Sequence, residues 1–368
     1  MLTDQNHSCK IKIPYRKNQE ERMRSNMKIK MLIATKDNHY SKSFSDHISE
    51  FYSDKIDICE YSEQEGVSES ASKKKYDAAL VDSRFAGKFD LSIVTMPILL
   101  WSDIEPAELP NSAAQGIIRI RKYQRISSII AGVFEHLAKV SKTDSGLGSK
   151  SAEITAVWSP AGGVGKTTAA LAYATSKAAE GKDVFYLNLE DFSSVPGYFH
   201  EQGKSISSVF EMLDTQSGNI KMFIQGISCL SSGIKYLCCP NNYEDMYILS
   251  PENISDLIIA CAGLTDELIL DLPCIYDART KKAFETAGKI LIVTTPDSSA
   301  NVKLAQFKSQ NNAFEDIKEK VTIIINKNTT AADNVLTGAE ISNVISLPLI
   351  DTGSPRDVYK ALSKIDFS

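Results

Sequence analysis

Long apolar runs are missing from this 368-residue chain. None approaches the ~20 residues that a helix needs to cross a bilayer, which argues against a transmembrane anchor. A secretory signal is missing too: residues 1–26 carry six Lys/Arg against three acids but no apolar core, and read as a flexible basic leader. The seven cysteines include no C-x-x-C spacing, and only Cys238 and Cys239 are neighbours. Several lie in apolar, strand-like stretches, so buried, reduced thiols in a cytoplasmic protein are expected. The five histidines are too widely spaced for a zinc site. Charge of one sign is scarce as well. A net charge of -5 provides no pull toward nucleic acid or anionic lipid.

What remains is the composition of a globular protein, 43% hydrophobic and 24% charged, in a chain long enough for two domains. The polar, Ser/Gly/Lys-rich stretch 139–152 reads as a linker between a domain at 27–138 and another at 153–368. In the first, apolar runs at 29–34, 56–61, 77–81, 97–101 and 116–120 alternate with amphipathic stretches. A helix follows, with Ile126, Ile129, Ile130, Val133, Phe134 and Leu137 on one face. In the second, strands are expected at 154–158, 184–189, 234–238, 267–270, 290–294, 321–325 and 344–346. The run Ser250-Pro251-Glu252 opens a helix with a cap, a first-position proline and an early acid. Both halves therefore predict α/β domains with doubly wound parallel sheets.

The chemistry concentrates at one junction. An apolar strand at 154–158 runs into Ala161-Gly162-Gly163-Val164-Gly165-Lys166-Thr167-Thr168, and an Ala-rich helix leaves it. Glycines there let backbone N–H groups converge on phosphates without a Cβ in the way. The helix start adds a positive dipole end and Lys166 a point charge for the β/γ-phosphates. Thr167 offers a hydroxyl to Mg²⁺, and Thr168 one to the α-phosphate. ATP with Mg²⁺ is the expected ligand pair.

This loop resembles the deviant phosphate loop of the MinD/ParA family, x-K-G-G-x-G-K-[ST]. Pro160 stands where an ordinary phosphate loop has glycine, and Ala161 where this family has a further lysine. The resemblance implies roles for other residues. Glu190, in Leu187-Asn188-Leu189-Glu190-Asp191, inherits an acid that supports the metal-bound and attacking waters, with Asp191 as substitute. Asp271, ending Leu270-Asp271-Leu272-Pro273, would hold Mg²⁺ through water. Asn326 would pair with adenine, and Pro348 joins the nucleotide-binding set. Lys166, Glu190 and Asp271 form the catalytic set. The family's extra lysine reaches a facing subunit's phosphates, so Ala161 implies slow hydrolysis, with Arg279 and Lys281 as candidate replacements.

Two stretches, Ile234-Lys235-Tyr236-Leu237-Cys238-Cys239-Pro240 and Ile290-Leu291-Ile292-Val293-Thr294-Thr295-Pro296-Asp297, are similar to the TadZ/CpaE branch, which serves pilus assembly. That branch joins a receiver-like, flavodoxin-like domain to the ATPase. The branch implies a homodimer, pilus or secretion assembly proteins as partners, and at most peripheral recruitment to the membrane's inner face or a cell pole. Other readings are a nucleotide-bound scaffold that barely hydrolyses ATP, and a ParA-type DNA-partitioning ATPase. In the receiver-like half Asp82, Ser102 and Lys122 follow the expected strands, but Thr35-Lys36 replace the acid pair that would bind Mg²⁺, and Asp37 comes one position late. A fold kept for protein contacts is expected there. The C-terminal stripe of Val358, Leu362 and Ile365 is expected to pack on its own domain rather than on lipid.

Overall fold

The computed structural model describes residues 28–62, 75–82, 85, 94–102, 117–140, 152–199, 203–310, 313–329, 343–351 and 354–367. The leader 1–26 and most of the expected linker lie outside them. The chain divides into two compact units between Ile120 and Arg121.

The first unit follows the order β1 (Ile29–Ala34), α1 (Asn38–Phe51), β2 (Ile56–Tyr61), β3 (Tyr76–Asp82), β4 (Val94–Trp101) and β5 (Ile118–Arg121). Asp37 caps α1 by accepting from the Tyr40 N–H. The sheet order is β2-β1-β3-β4-β5, and β1 pairs in parallel with β2 and β3, as does β3 with β4. This is the flavodoxin-like doubly wound order. Leu32, Ala34, Ala79, Val81, Phe85 and Leu99 fill its core.

The second unit opens with α2 (Ile126–Val140), β6 (Glu153–Trp158), α3 (Lys166–Ala179), β7 (Val184–Asn188), α4 (Val195–Tyr198), α5 (Ser207–Asp214) and α6 (Ile220–Ile227). It continues through β8 (Cys229–Ser231), β9 (Ile234–Tyr236), α7 (Pro251–Ala262), β10 (Glu267–Asp271), α8 (Ala278–Thr286), β11 (Lys289–Thr294) and α9 (Ser298–Ser309). The last elements are β12 (Val321–Asn328), β13 (Val344–Pro348) and α10 (Pro355–Leu362). The strands form one sheet, β13-β12-β11-β6-β10-β7-β9-β8, parallel except for the antiparallel edge pair β8/β9. All seven expected strands are present; β8 is an addition. Its turn, Ser232-Gly233, has positive φ at both residues, the pattern of a type I′ hairpin.

Central strands β7 and β10 are buried along their whole length, as a parallel sheet covered on both faces requires. Helix α3 is buried on most sides, largely through small residues: Ala169, Ala170, Ala172 and Ala174 are all buried. One side takes the C-terminal segment. Tyr359 and Leu362 are buried, Val358 and Ile365 pack against the same core, and Phe367 meets Tyr173 edge-on. Among the described residues no helix is long and apolar enough to cross a membrane.

Helix α2 groups with the second unit rather than with the sheet that precedes it in sequence. It packs on α6, where Gly226 makes room for the Phe134 ring, and Glu135 pairs with Lys204 at 2.5 Å. The Ala138 carbonyl also accepts from the Asn219 N–H. An apolar stripe specifies that a helix is buried but not which neighbour buries it. A Cβ at residue 226 would sit 2.0 Å from the Phe134 side chain, itself buried. Gly226→Ala gains ~1 kcal/mol in helix propensity but loses about 1–3 kcal/mol by overpacking. The variant is expected to unfold at lower denaturant than the parent; a higher midpoint would show that α2 is not seated on α6.

Candidate phosphate-binding site

The loop between β6 and α3 owes its shape to two backbone positions. Gly163 (φ 75°) and Gly165 (φ 88°) are left-handed, and a Cβ on Gly165 would fall 2.3 Å from the Asn326 amide. Gly162 and Gly163 are exposed, with nothing within 4 Å of where a Cβ would stand. The loop's outer turn thus faces open space while its inner side is bonded down. The Ala161 N–H donates to Ser159 Oγ (3.0 Å), Asn326 Nδ2 to the Val164 carbonyl (2.8 Å) and Lys327 Nζ to the Gly163 carbonyl (3.0 Å).

Asp271 lies at the centre of the polar groups behind the loop. Sheet register sets Asp271 opposite Val157 of β6 on one side and Asn188 of β7 on the other. Its Oδ2 accepts from Thr167 Oγ1 (2.7 Å), Tyr186 Oη (2.7 Å) and Asn188 Nδ2 (3.0 Å). Its Oδ1 is buried and has no hydrogen-bond partner. Burial and then the charge on Glu190 push the Asp271 carboxyl up to about 6, against those bonds and Lys166.

Lys166 opens α3 and is almost wholly buried. Its Nζ lies 3.1 Å from Glu190 Oε1 and donates to Cys274 Sγ at 3.1 Å. Burial opposes its charge, but Glu190, with Cys274 and Asp271, outweighs burial and the pKa is raised. Lys166, Glu190, Asp271 and Thr167 thus lie together. Thr168 sits in the first turn of α3, half-buried.

Three expectations meet a different geometry. Asn326 is buried and gives its amide to the loop's own carbonyl, so it braces the loop rather than offering that donor to a base. Pro348 is exposed at the end of β13, in register with Asn328, and does not line the cavity of about 330 Å³ beside the loop. That cavity is walled by Ala161–Val164, Thr295–Asp297, Lys303 and Lys327. Arg279 is bound to Asp277 (3.0 Å) and to the Met246 carbonyl (2.6 Å), with its guanidinium over Tyr247, and Lys281 lies over the Tyr276 ring. Both are engaged locally. Lys327 does reach the loop, at the Gly163 carbonyl.

Sequence reasoning missed Tyr186, Asn188, Cys274 and Lys327. A signal existed for the first two. Tyr186, Asn188 and Glu190 alternate along one strand and its extension, so they share a face with period 2. In the first unit, Thr35 Oγ1 donates to Asp82 Oδ2 at 3.1 Å, both fully buried. Ser102 is buried as well; Lys122, also buried, falls in the second unit.

No protein-family model and no curated protein matches the chain. Among solved structures it is similar to a ParA family ATPase from Chlorobium tepidum TLS, at 20% identity and a TM-score of 0.49, over 59% of this chain and 96% of that one. It is also similar to the septum site-determining protein MinD from Pyrococcus horikoshii, complexed with Mg-ADP (14% identity, TM-score 0.42, covering 58% and 95%). A third is a putative plasmid partition protein from Borrelia burgdorferi B31 bound to AMPPNP (15% identity, TM-score 0.40, covering 58% and 89%).

The brace can be separated from base reading. Asn326→Ala leaves the buried Val164 carbonyl unpaired, at about 1–3 kcal/mol. Affinities for ATP and GTP should fall by the same factor; a change in their ratio would restore Asn326 as a base-reading residue.

Proposed function

We propose that the second unit binds ATP with Mg²⁺ and works as a dimerising MinD/ParA-type ATPase that localises or assembles a pilus or secretion machine. The reading rests on Asp271, a buried carboxylate with one unpartnered oxygen, bonded through the other to the Thr167 hydroxyl and next to a buried lysine. A divalent cation fits that donor set, because it relieves the cost of a buried acid beside Glu190. Thr167 would hold Mg²⁺ directly and Asp271 through water. Backbone N–H groups of 162–168, with Lys166, would hold the phosphates. Bound Mg²⁺ supplies Lewis-acid polarisation of phosphate oxygens.

The chain's own residues then have distinct work. Lys166 exchanges its Glu190 partner for phosphate, and Glu190, so released, orients water. Tyr186 and Asn188 fix the Asp271 carboxylate in one orientation. Ala161 is 4% exposed within the core and offers no charge to a facing subunit. Slow hydrolysis follows, and a nucleotide-bound scaffold is the reading that Ala161 favours next.

Dimerisation has its own support near the site. Phe192, two residues past Glu190, is 80% exposed and stacks on Tyr243, which meets Tyr247 edge-on. Ile275, adjoining Cys274, is also exposed. Exposed aromatics with an arginine are the composition of interface hot spots. Light scattering of the full chain with ATP, ADP and no nucleotide tests this. ATP should double the mass, and Phe192→Ser with Tyr247→Ser should remain monomeric while still binding ATP, more weakly only by the coupling to dimerisation that it has lost. A parent that stays monomeric at saturating ATP, or a double variant that still dimerises, would contradict the reading.

A further inference from the structure

None of the six cysteines among the described residues is joined in a disulfide, and two of them are built into a pair. Cys229 opens β8 and faces Tyr236 across the antiparallel ladder; Cys238 follows Tyr236 by two residues and so falls on the same face. Their sulfurs are 3.8 Å apart. Both press on one backbone notch: a Cβ on Gly203 would lie 2.6 Å from Cys229 Sγ and 3.2 Å from Cys238 Sγ. The frame around them is fixed. The Ser232-Gly233 turn closes one end of the hairpin, and the Cys238 carbonyl accepts from the Ile206 N–H at the other.

We propose that Cys229 and Cys238 are a thiol-modification site, forming a reversible disulfide at the edge of the sheet with a low-molecular-weight disulfide as oxidant. Cys229 is half-exposed and Cys238 buried, which orders the steps. The Cys229 thiolate attacks one sulfur of the oxidant, forming a mixed disulfide and expelling one thiolate. The Cys238 thiolate then attacks Cys229 Sγ and expels the second. The protein loses two electrons and two protons, and the oxidant leaves as two thiols. Closing the bond takes the sulfurs from 3.8 Å to about 2.05 Å. The bond would fasten the outermost strand to the β9 exit, beside the segment that leads into α5. Cys261, whose thiol burial pushes far up, stays out of this chemistry.

The test is the full chain equilibrated with graded mixtures of oxidised and reduced glutathione, alkylated, digested and mapped by mass. The expected product is a peptide linking Cys229 to Cys238 with a mass loss of two hydrogens (about 2 Da), reversed by dithiothreitol. It should form before Cys59, Cys261 or Cys274 is modified. Cys238→Ser should instead accumulate glutathione on Cys229, while Cys229→Ser should leave Cys238 unmodified. A persistent glutathione adduct on Cys229 of the parent, a Cys238–Cys239 link, or no reaction at oxidising ratios would each overturn the proposal.

Discussion

The hydrogen bonds onto one oxygen of Asp271 tie together the elements on which the site depends. A carboxylate buried at the end of a central strand is costly unless its charge is compensated. Here three donors from two neighbouring elements converge on Oδ2: Thr167 from α3, and Tyr186 and Asn188 from β7. Each donor is positioned by backbone geometry rather than by its own flexibility. Register puts Asn188 directly across from Asp271, and period 2 puts Tyr186 on the same face. Oδ1 is left without a partner and Lys166 held on Glu190, a charge arrangement completed by a cation and an anion together.

The loop around this carboxylate is made rigid from the other side of the sheet. Asn326 and Lys327, at the end of β12, bond two successive carbonyls of the loop, Val164 and Gly163. Lys327 does so from a left-handed backbone (φ 56°), a conformation that costs a non-glycine residue of order 1 kcal/mol. The carbonyls are turned inward by these bonds, and the exposed glycines form the outer turn. Preorganisation of this kind is how a loop binds phosphate without reordering.

Much of this was legible in the residues. Apolar runs marked every central strand, because parallel strands buried on both faces have little choice of composition. The Gly-Lys-Thr junction and the acid ending β10 were visible for the same reason, as chemistry with few substitutes. β8 was not, since three residues of an edge hairpin, Cys229–Ser231, are too short to show a period. The placement of α2 escaped because its stripe of Ile129, Val133 and Phe134 fits any apolar groove, and the deciding residue, Gly226, lies far along the chain. The bond from Asn326 to the Val164 carbonyl was not foreseen, because an amide can serve a base or a carbonyl equally well. Only the turn geometry at Gly165 decides between them.

The central claim is that Lys166, held by Glu190 next to Asp271, is the charge on which nucleotide binding depends. Calorimetric titration of the full chain with ATP and Mg²⁺, alongside Lys166→Ala, tests it most directly. The parent should bind one ATP per chain with an affinity that falls when Mg²⁺ is omitted, and the variant, folded by circular dichroism, should show no measurable binding. Unchanged ATP affinity in a folded Lys166→Ala protein would contradict the account.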